Sequence, residues 1–265
     1  MNSWDFFDQI SIISIPEHHS RITKIRQNFK KVHLYNYTVH DFQPSKKIIN
    51  NGNKNFSLWS AFNHTSNDET SKNIALNHLT AIREAYYSNK ESILIFENDA
   101  EFKLPFNFIQ LQSIIEWLKN NQWNIFYFGY CPVLPYITKQ ADYIVKIHKP
   151  LLGHAYALSR SGMKRVLTQS YLLGNTHIDK FYTQLFTNMY GAYPILNFQN
   201  IEPAIYRRIK KKYKFLLSFT NLNKGMEKCG LFFSFLFRLG MVILSIVIVL
   251  SFLNKHYIQL FQKET

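Results

Sequence analysis

The sequence predicts an α/β fold: a central, mostly parallel sheet with helices packed on it, followed by a membrane-spanning helix. Three observations carry this. Apolar runs of strand length alternate with amphipathic helical segments. The run Ser92-Ile93-Leu94-Ile95-Phe96 is uninterrupted, the pattern of a strand covered on both faces. Residues 231–253 are almost wholly apolar, interrupted by Arg238.

In order along the chain, residues 10–15 read as a short buried strand ended by Pro16. Residues 18–30 are polar and compatible with a helix, and the β-branched and aromatic stretch 32–39 predicts a second strand. From 41 to 71 the chain is rich in Asn, Ser and Lys, which predicts a long polar loop. Residues 73–87 predict a helix with Ala75, Leu79, Ile82 and Tyr86 on one face. The strand 92–96 follows and opens onto Glu97-Asn98-Asp99. A second amphipathic helix is expected over 106–120 and a buried strand over 123–128, stopped by Gly129. Further strands are expected at 143–148, 153–158 and 193–198, and helices at 161–170 and 178–189. There is no internal repeat. The domain is expected to span residues 1–205, with a basic linker over 206–230, an anchor over 231–258 and a short tail over 259–265.

The 265 residues are 46% hydrophobic, which excludes a disordered chain. Against 17 acidic residues stand 31 Lys and Arg, a formal charge of +14, a balance suited to anionic partners. No nucleic-acid recognition motif is present, so phosphorylated ligands or acidic lipid are the expected partners. Cys131 and Cys229 lie far apart without metal-site spacing, which predicts free thiols and no disulfide framework. The N-terminus lacks the basic and apolar regions of a cleaved signal peptide. The apolar run is long enough to cross a bilayer, with a buried core helix as the alternative. The cluster Arg207-Arg208-Ile209-Lys210-Lys211-Lys212 precedes it, which predicts a single-pass chain with its main domain on the cytosolic side.

The triplet Glu97-Asn98-Asp99 carries the chemistry. It follows a buried strand, where open α/β sheets place their ligands. In an extended stretch the carboxylates of Glu97 and Asp99 point the same way. Two such oxygen donors suit a divalent cation, Mn²⁺ or Mg²⁺, with positions left for phosphate oxygens. A polar turn after a strand would have the same composition.

The segments 73–82 and 93–100 together resemble glycosyltransferase family 25, in which a helix bearing a Ser-His pair precedes an apolar strand ending in Glu-Asp-Asp. Ile12-Ile13-Ser14-Ile15 with His19-Ser20-Arg21 is similar to that family's opening strand and Arg-bearing turn. Ile125-Phe126-Tyr127-Phe128-Gly129 and Gly153-His154-Ala155-Tyr156-Ala157-Leu158-Ser159 follow in the family's order, as does Ile178-Asp179-Lys180. Asn77 and Asn98 depart from the pattern. The resemblance implies a GT-A-like, Rossmann-like domain that binds a UDP-sugar and moves a hexose, galactose or glucose, to a hydroxyl of a glycan, lipid or protein. It implies Ile15, Arg21 and His78 near the nucleotide, Glu97 and Asp99 on the metal, and Asp179 as general base. Asp179 reads equally as a first-turn helix acid, and His78 as a structural histidine. His154 and His177 are further candidates for the metal shell. A catalytically inactive, membrane-tethered binding module is the other reading that Asn77 and Asn98 leave open.

Overall fold

The computed structural model describes residues 2–14, 19–41, 69–132, 138–173 and 177–199, with residues 239, 240, 242, 243 and 246. In chain order the elements are β1 (Gln9–Ile13), α1 (His19–Lys30), β2 (Thr38–His40), α2 (Glu69–Tyr87), β3 (Ser92–Glu97) and β4 (Ala100–Phe102). Then come α3 (Phe108–Asn120), β5 (Ile125–Pro132), β6 (Thr138–Ala141), β7 (Ile144–Ile147) and β8 (Pro150–Ser159). The last are α4 (Arg160–Thr168), α5 (Ile178–Leu185), β9 (Met189–Ala192) and β10 (Asn197–Gln199). Short 3₁₀ turns occupy Ser3–Phe6 and Ser170–Leu173.

Side-chain alternation along the strands sets the layering. On β3, Ile93 and Ile95 enter one apolar cluster and Leu94 and Phe96 the other. The first cluster takes Leu76, Leu79 and Ile82 of α2, Met163 and Val166 of α4, and Phe181 and Leu185 of α5. The second takes Ile22, Ile25 and Phe29 of α1 and Leu111, Ile114 and Leu118 of α3. Helices therefore cover both faces of the sheet, and β3 is buried on both sides as its sequence predicts. Each such fully buried aliphatic side chain contributes roughly 1.5–3 kcal/mol.

The main sheet has the order β2-β1-β3-β8-β5-β9-β7-β6. β1 runs parallel to β2 and β3, and β5 parallel to β9. β8 lies antiparallel between β3 and β5, and β7 is antiparallel to β6 and β9. The expected mostly parallel sheet is therefore a mixed one. The helical crossover from β3 through α3 does produce two strands of like direction, β3 and β5. The later β8 then inserts between them and reverses both contacts.

Other expectations shift for local reasons. α3 begins at Phe108 because Asn107 caps it, its side-chain oxygen accepting from Gln110 N at 3.0 Å. Gly129 does not stop its strand: β5 continues to Pro132 with register shifts on either side of the glycine. A Cβ there would overlap the Asn197 carbonyl and the His154 ring, so Gly129 serves a close approach of chains. The second strand is confined to Thr38–His40, since Val32 and Leu34 are buried in a turn after α1. The helix expected over 178–189 ends at Leu185, and Met189 already belongs to β9. The strand expected over 193–198 is the shorter β10, paired antiparallel with β4, an element without an apolar run to announce it.

The loop expected over 41–71 lies outside the described residues except at Asp41 and the start of α2. The linker (206–230) and the tail (259–265) lie outside them too, as does the anchor (231–258) apart from five helical residues. Among the described residues no helix is long and apolar enough to cross a membrane.

Candidate active site

The register of the sheet gathers the site. Ile13 at the end of β1 lies opposite Glu97 at the end of β3. Phe96 lies opposite Ala155, so the run Leu152-Gly153-His154 reaches the same edge from β8. α1 begins there and β10 lies alongside. This is the carboxyl edge of the parallel strands, the ligand edge of open α/β sheets.

Glu97 ends β3, and Asn98 and Asp99 form a tight turn before β4, so the triplet is not one continuous extended segment. Asn98 N donates to Ile13 O at 2.9 Å, which fixes the turn onto β1. Its side-chain amide donates to Ser14 Oγ at 2.7 Å, and its oxygen accepts from the Arg21 guanidinium at 3.4 Å. A carboxylate at this position could accept but not donate. Asn98 is thus a structural tie between β1, α1 and the turn. Asn77 plays a similar part: it is buried on α2 and donates to Ser14 O at 2.9 Å.

Glu97 is partly exposed, with His78 Nε2 lying 3.4 Å from its Oε1. His78 itself is fully buried, and its Nδ1 lies 2.8 Å from the Tyr156 hydroxyl, which lies 2.6 Å from that of Tyr182. A consistent assignment has Tyr182 donating to Tyr156 and Tyr156 to Nδ1, which leaves the proton on Nε2, 3.4 Å from Glu97 Oε1 but short of hydrogen-bond geometry. Burial raises the ionisation of both phenols well above the ordinary range, so they stay neutral and serve as hydrogen-bond links. Burial works against ionisation of Glu97. The close polar approach of His78, with smaller contributions from His154 and Arg21, outweighs it and holds the carboxyl below its usual range.

Asp99 behaves oppositely. Burial, and then repulsion from Glu97, push its carboxyl up to about 7, against the pull of Arg21 and Gln199. Its Oδ2 accepts from Gln199 Nε2 at 3.2 Å and lies 4.0 Å from the Arg21 guanidinium. Its Oδ1 is buried with no hydrogen-bond partner among the described residues. A cleft of about 260 Å³ opens beside this carboxylate, lined by Arg21, Lys24, Asn28, Lys31 and Glu101.

The structure therefore brings together Arg21, His78, Glu97 and Asp99. Ile15 lies outside the described residues. Asp179 sits in the first turn of α5, where Oδ2 accepts from Leu152 N at 3.2 Å and Oδ1 from Lys180 N at 2.7 Å. Leu152 has φ of 71°, an uncommon conformation for a bulky residue, and Asp179 helps hold it. His154 is buried with Nε2 3.3 Å from Asn197 O, and burial lowers its pKa. His177 is exposed at the start of α5. Among the described residues no group of three or more His, Cys, Asp and Glu is placed to hold a metal, so neither histidine completes a shell. Sequence reasoning missed Tyr156, Tyr182 and Gln199. The strand alternation that puts Tyr156 on the face of α2 was legible, but its partnership with His78 joins residues 78 positions apart.

No protein-family model and no curated protein matches the chain, so the resemblance to glycosyltransferase family 25 rests on the residues quoted above. Among solved structures, three align with it only weakly. One is a glycosyltransferase involved in the glycosylation of the major capsid of PBCV-1, at 11% identity and a TM-score of 0.41, covering 77% of this chain and 99% of that one. The second is a mannose-1-phosphate geranyltransferase from Thermus thermophilus, at 7% identity and 0.39, covering 69% and 73%. The third is a nucleoside-diphosphate-sugar pyrophosphorylase from Vibrio cholerae, at 10% and 0.37, covering 79% and 84%. Likeness of this degree assigns neither family nor activity.

Proposed function

We propose that this chain is a metal-dependent glycosyltransferase that moves a hexose, galactose or glucose, from a UDP-sugar to a hydroxyl of a glycan, lipid or protein. The observation that carries the reading is the carboxylate pair itself. Asp99 presents a buried oxygen without a partner, next to a partly exposed Glu97 and a cleft edged by Arg21 and Lys24. Two hard oxygen donors fit Mg²⁺ or Mn²⁺, whose remaining positions go to water and phosphate oxygens. Glu97 and Asp99 leave most of a cation's positions open, so the site suits a cation that arrives with a diphosphate. When bound, the cation supplies charge neutralisation for the departing diphosphate.

The chain's own residues do the rest. Arg21 and Lys24 attract the diphosphate electrostatically, and the buried chain from Tyr182 through Tyr156 to His78 fixes the orientation of Glu97. In the transfer the acceptor oxygen bonds to the anomeric carbon as that carbon's bond to the diphosphate oxygen breaks. The electron pair leaves with the diphosphate, and the hydroxyl proton passes to a carboxylate oxygen of Asp179. Asn98 and Asn77, the two departures from the family pattern, both tie the site to Ser14.

The test is UDP-hexose turnover by the full chain with and without Mn²⁺, comparing wild type with Glu97→Gln and Asp99→Ala. Loss of metal-dependent turnover in both variants supports the proposal, and equal turnover of wild type and Asp99→Ala refutes it. Metal-dependent UDP binding without any turnover would identify a binding module instead.

A further inference from the structure

Seven large hydrophobic side chains of the domain are exposed among the described residues; apart from Tyr87, Tyr171 and Leu172, they lie on two segments that His33 brings together. Tyr35 is 63% exposed, Leu104 45%, Phe108 43% and Ile109 71%. Two segments build the patch, the turn after α1 and the approach to α3. His33 joins them, with its ring 5.5 Å from that of Phe108 and its Nδ1 3.3 Å from the Tyr35 hydroxyl. Beneath it the ring of Phe106 lies 4.9 Å from Phe108 and 5.9 Å from Trp4, so the exposed residues stand on a firm aromatic base.

Exposed lysines border both segments: Lys30 and Lys31 before the turn, Lys103 before Leu104. Two acids lie near: Asp5, engaged with the backbone of Asn2, and Glu101, which lines the cleft with Lys31. Apolar and aromatic tips ringed by lysines match an anionic bilayer surface, where rings enter the interface and ammonium groups meet headgroups. A water-facing surface gains nothing from four such tips together. The same chain carries an apolar run of bilayer-spanning length at 231–253.

We propose that the surface formed by Tyr35, Leu104, Phe108 and Ile109 docks the domain onto an anionic lipid surface, with Lys30, Lys31 and Lys103 holding the headgroups. Lys31 also lines the cleft beside Asp99, so docking sets the mouth of that cleft at headgroup level. The inference does not depend on the transferase reading.

The experiment places an environment-sensitive fluorophore at Ile109→Cys in full chain carrying Cys131→Ser and Cys229→Ser. The protein is reconstituted in phosphatidylcholine vesicles with or without phosphatidylglycerol, with brominated acyl chains as quencher. The same label at Asn121→Cys, at the far end of α3, is the control. The expected result is a blue shift and about two-fold quenching at 109 in phosphatidylglycerol vesicles, and neither at 121. Reversing Lys30, Lys31 and Lys103 to Glu abolishes it, since each lysine is worth roughly a five-fold shift toward the docked state. Hydrogen exchange on the unmodified chain is the second readout, with amides 30–36 and 103–110 slowed only by anionic vesicles. Several outcomes overturn the proposal: no quenching at 109, equal quenching at 121, or equal behaviour in zwitterionic vesicles. So do indifference to charge reversal, a chain that does not float with vesicles, and a lipid-free change that grows with protein concentration, which marks a second copy as the occupant.

Discussion

Replacing Asp99 with Asn separates the cost of the carboxylate pair from its use. In the fold the Asp99 carboxyl is raised from 3.8 to about 7 by burial and by Glu97. The unfolded chain releases this proton near 3.8, and the folded chain holds it to about 7. The stability it contributes is therefore full below 3.8 and is lost as pH rises through that window. The full difference is roughly 4 kcal/mol at 1.36 kcal/mol per pH unit, and solvent at the 15%-exposed side chain trims it. Asn has no proton to lose, and its side-chain oxygen can still accept from Gln199. Asp99→Asn should thus gain about 2–4 kcal/mol on wild type between pH 4 and pH 8 in the presence of a chelator. The assay is urea unfolding of full chain in detergent, followed by tryptophan fluorescence across that range. Added Mn²⁺ should restore wild type at the alkaline end and leave Asp99→Asn unchanged, because two ionised carboxylates then have a partner. A difference between the proteins that is flat with pH refutes the burial-and-repulsion argument.

Three further outcomes are expected. Tyr182→Phe removes the hydroxyl 2.6 Å from Tyr156 and should cost about 1 kcal/mol in chemical unfolding. It should also lower metal-dependent turnover at saturating UDP-hexose, and unchanged turnover would show that Glu97 is oriented without that hydroxyl. Gly129→Ala drives a methyl into the Asn197 carbonyl and the His154 ring, and should destabilise the domain by about 1–3 kcal/mol or more in the same assay. Asp179→Asn keeps only one of its two acceptor contacts, to Leu152 N or Lys180 N, so it should cost about 1 kcal/mol in unfolding while turnover drops roughly 10²–10⁴-fold if the carboxylate takes the acceptor proton. Near-normal turnover leaves Asp179 only its tie to Leu152.

The sequence by itself determined the elements that bury continuous or periodic apolar faces. β3, α2 and α3 were legible because a strand covered on both sides has no polar alternative, and because helical spacing leaves a single face to bury. It also located the triplet at the end of β3, and Arg21 and His78 as its companions. Only the tertiary structure decided the direction of β8, since a strand inserted between two others leaves no mark in its own composition. It likewise decided that Asn98 donates to Ser14, and that Asp99 and Glu97 differ in the direction of their shifts. Those properties depend on which groups from β1, α1, α2 and β10 come within about 3–4 Å of a carboxylate, where electrostatic energies change most steeply with distance. Spacing along the chain carries no record of those distances.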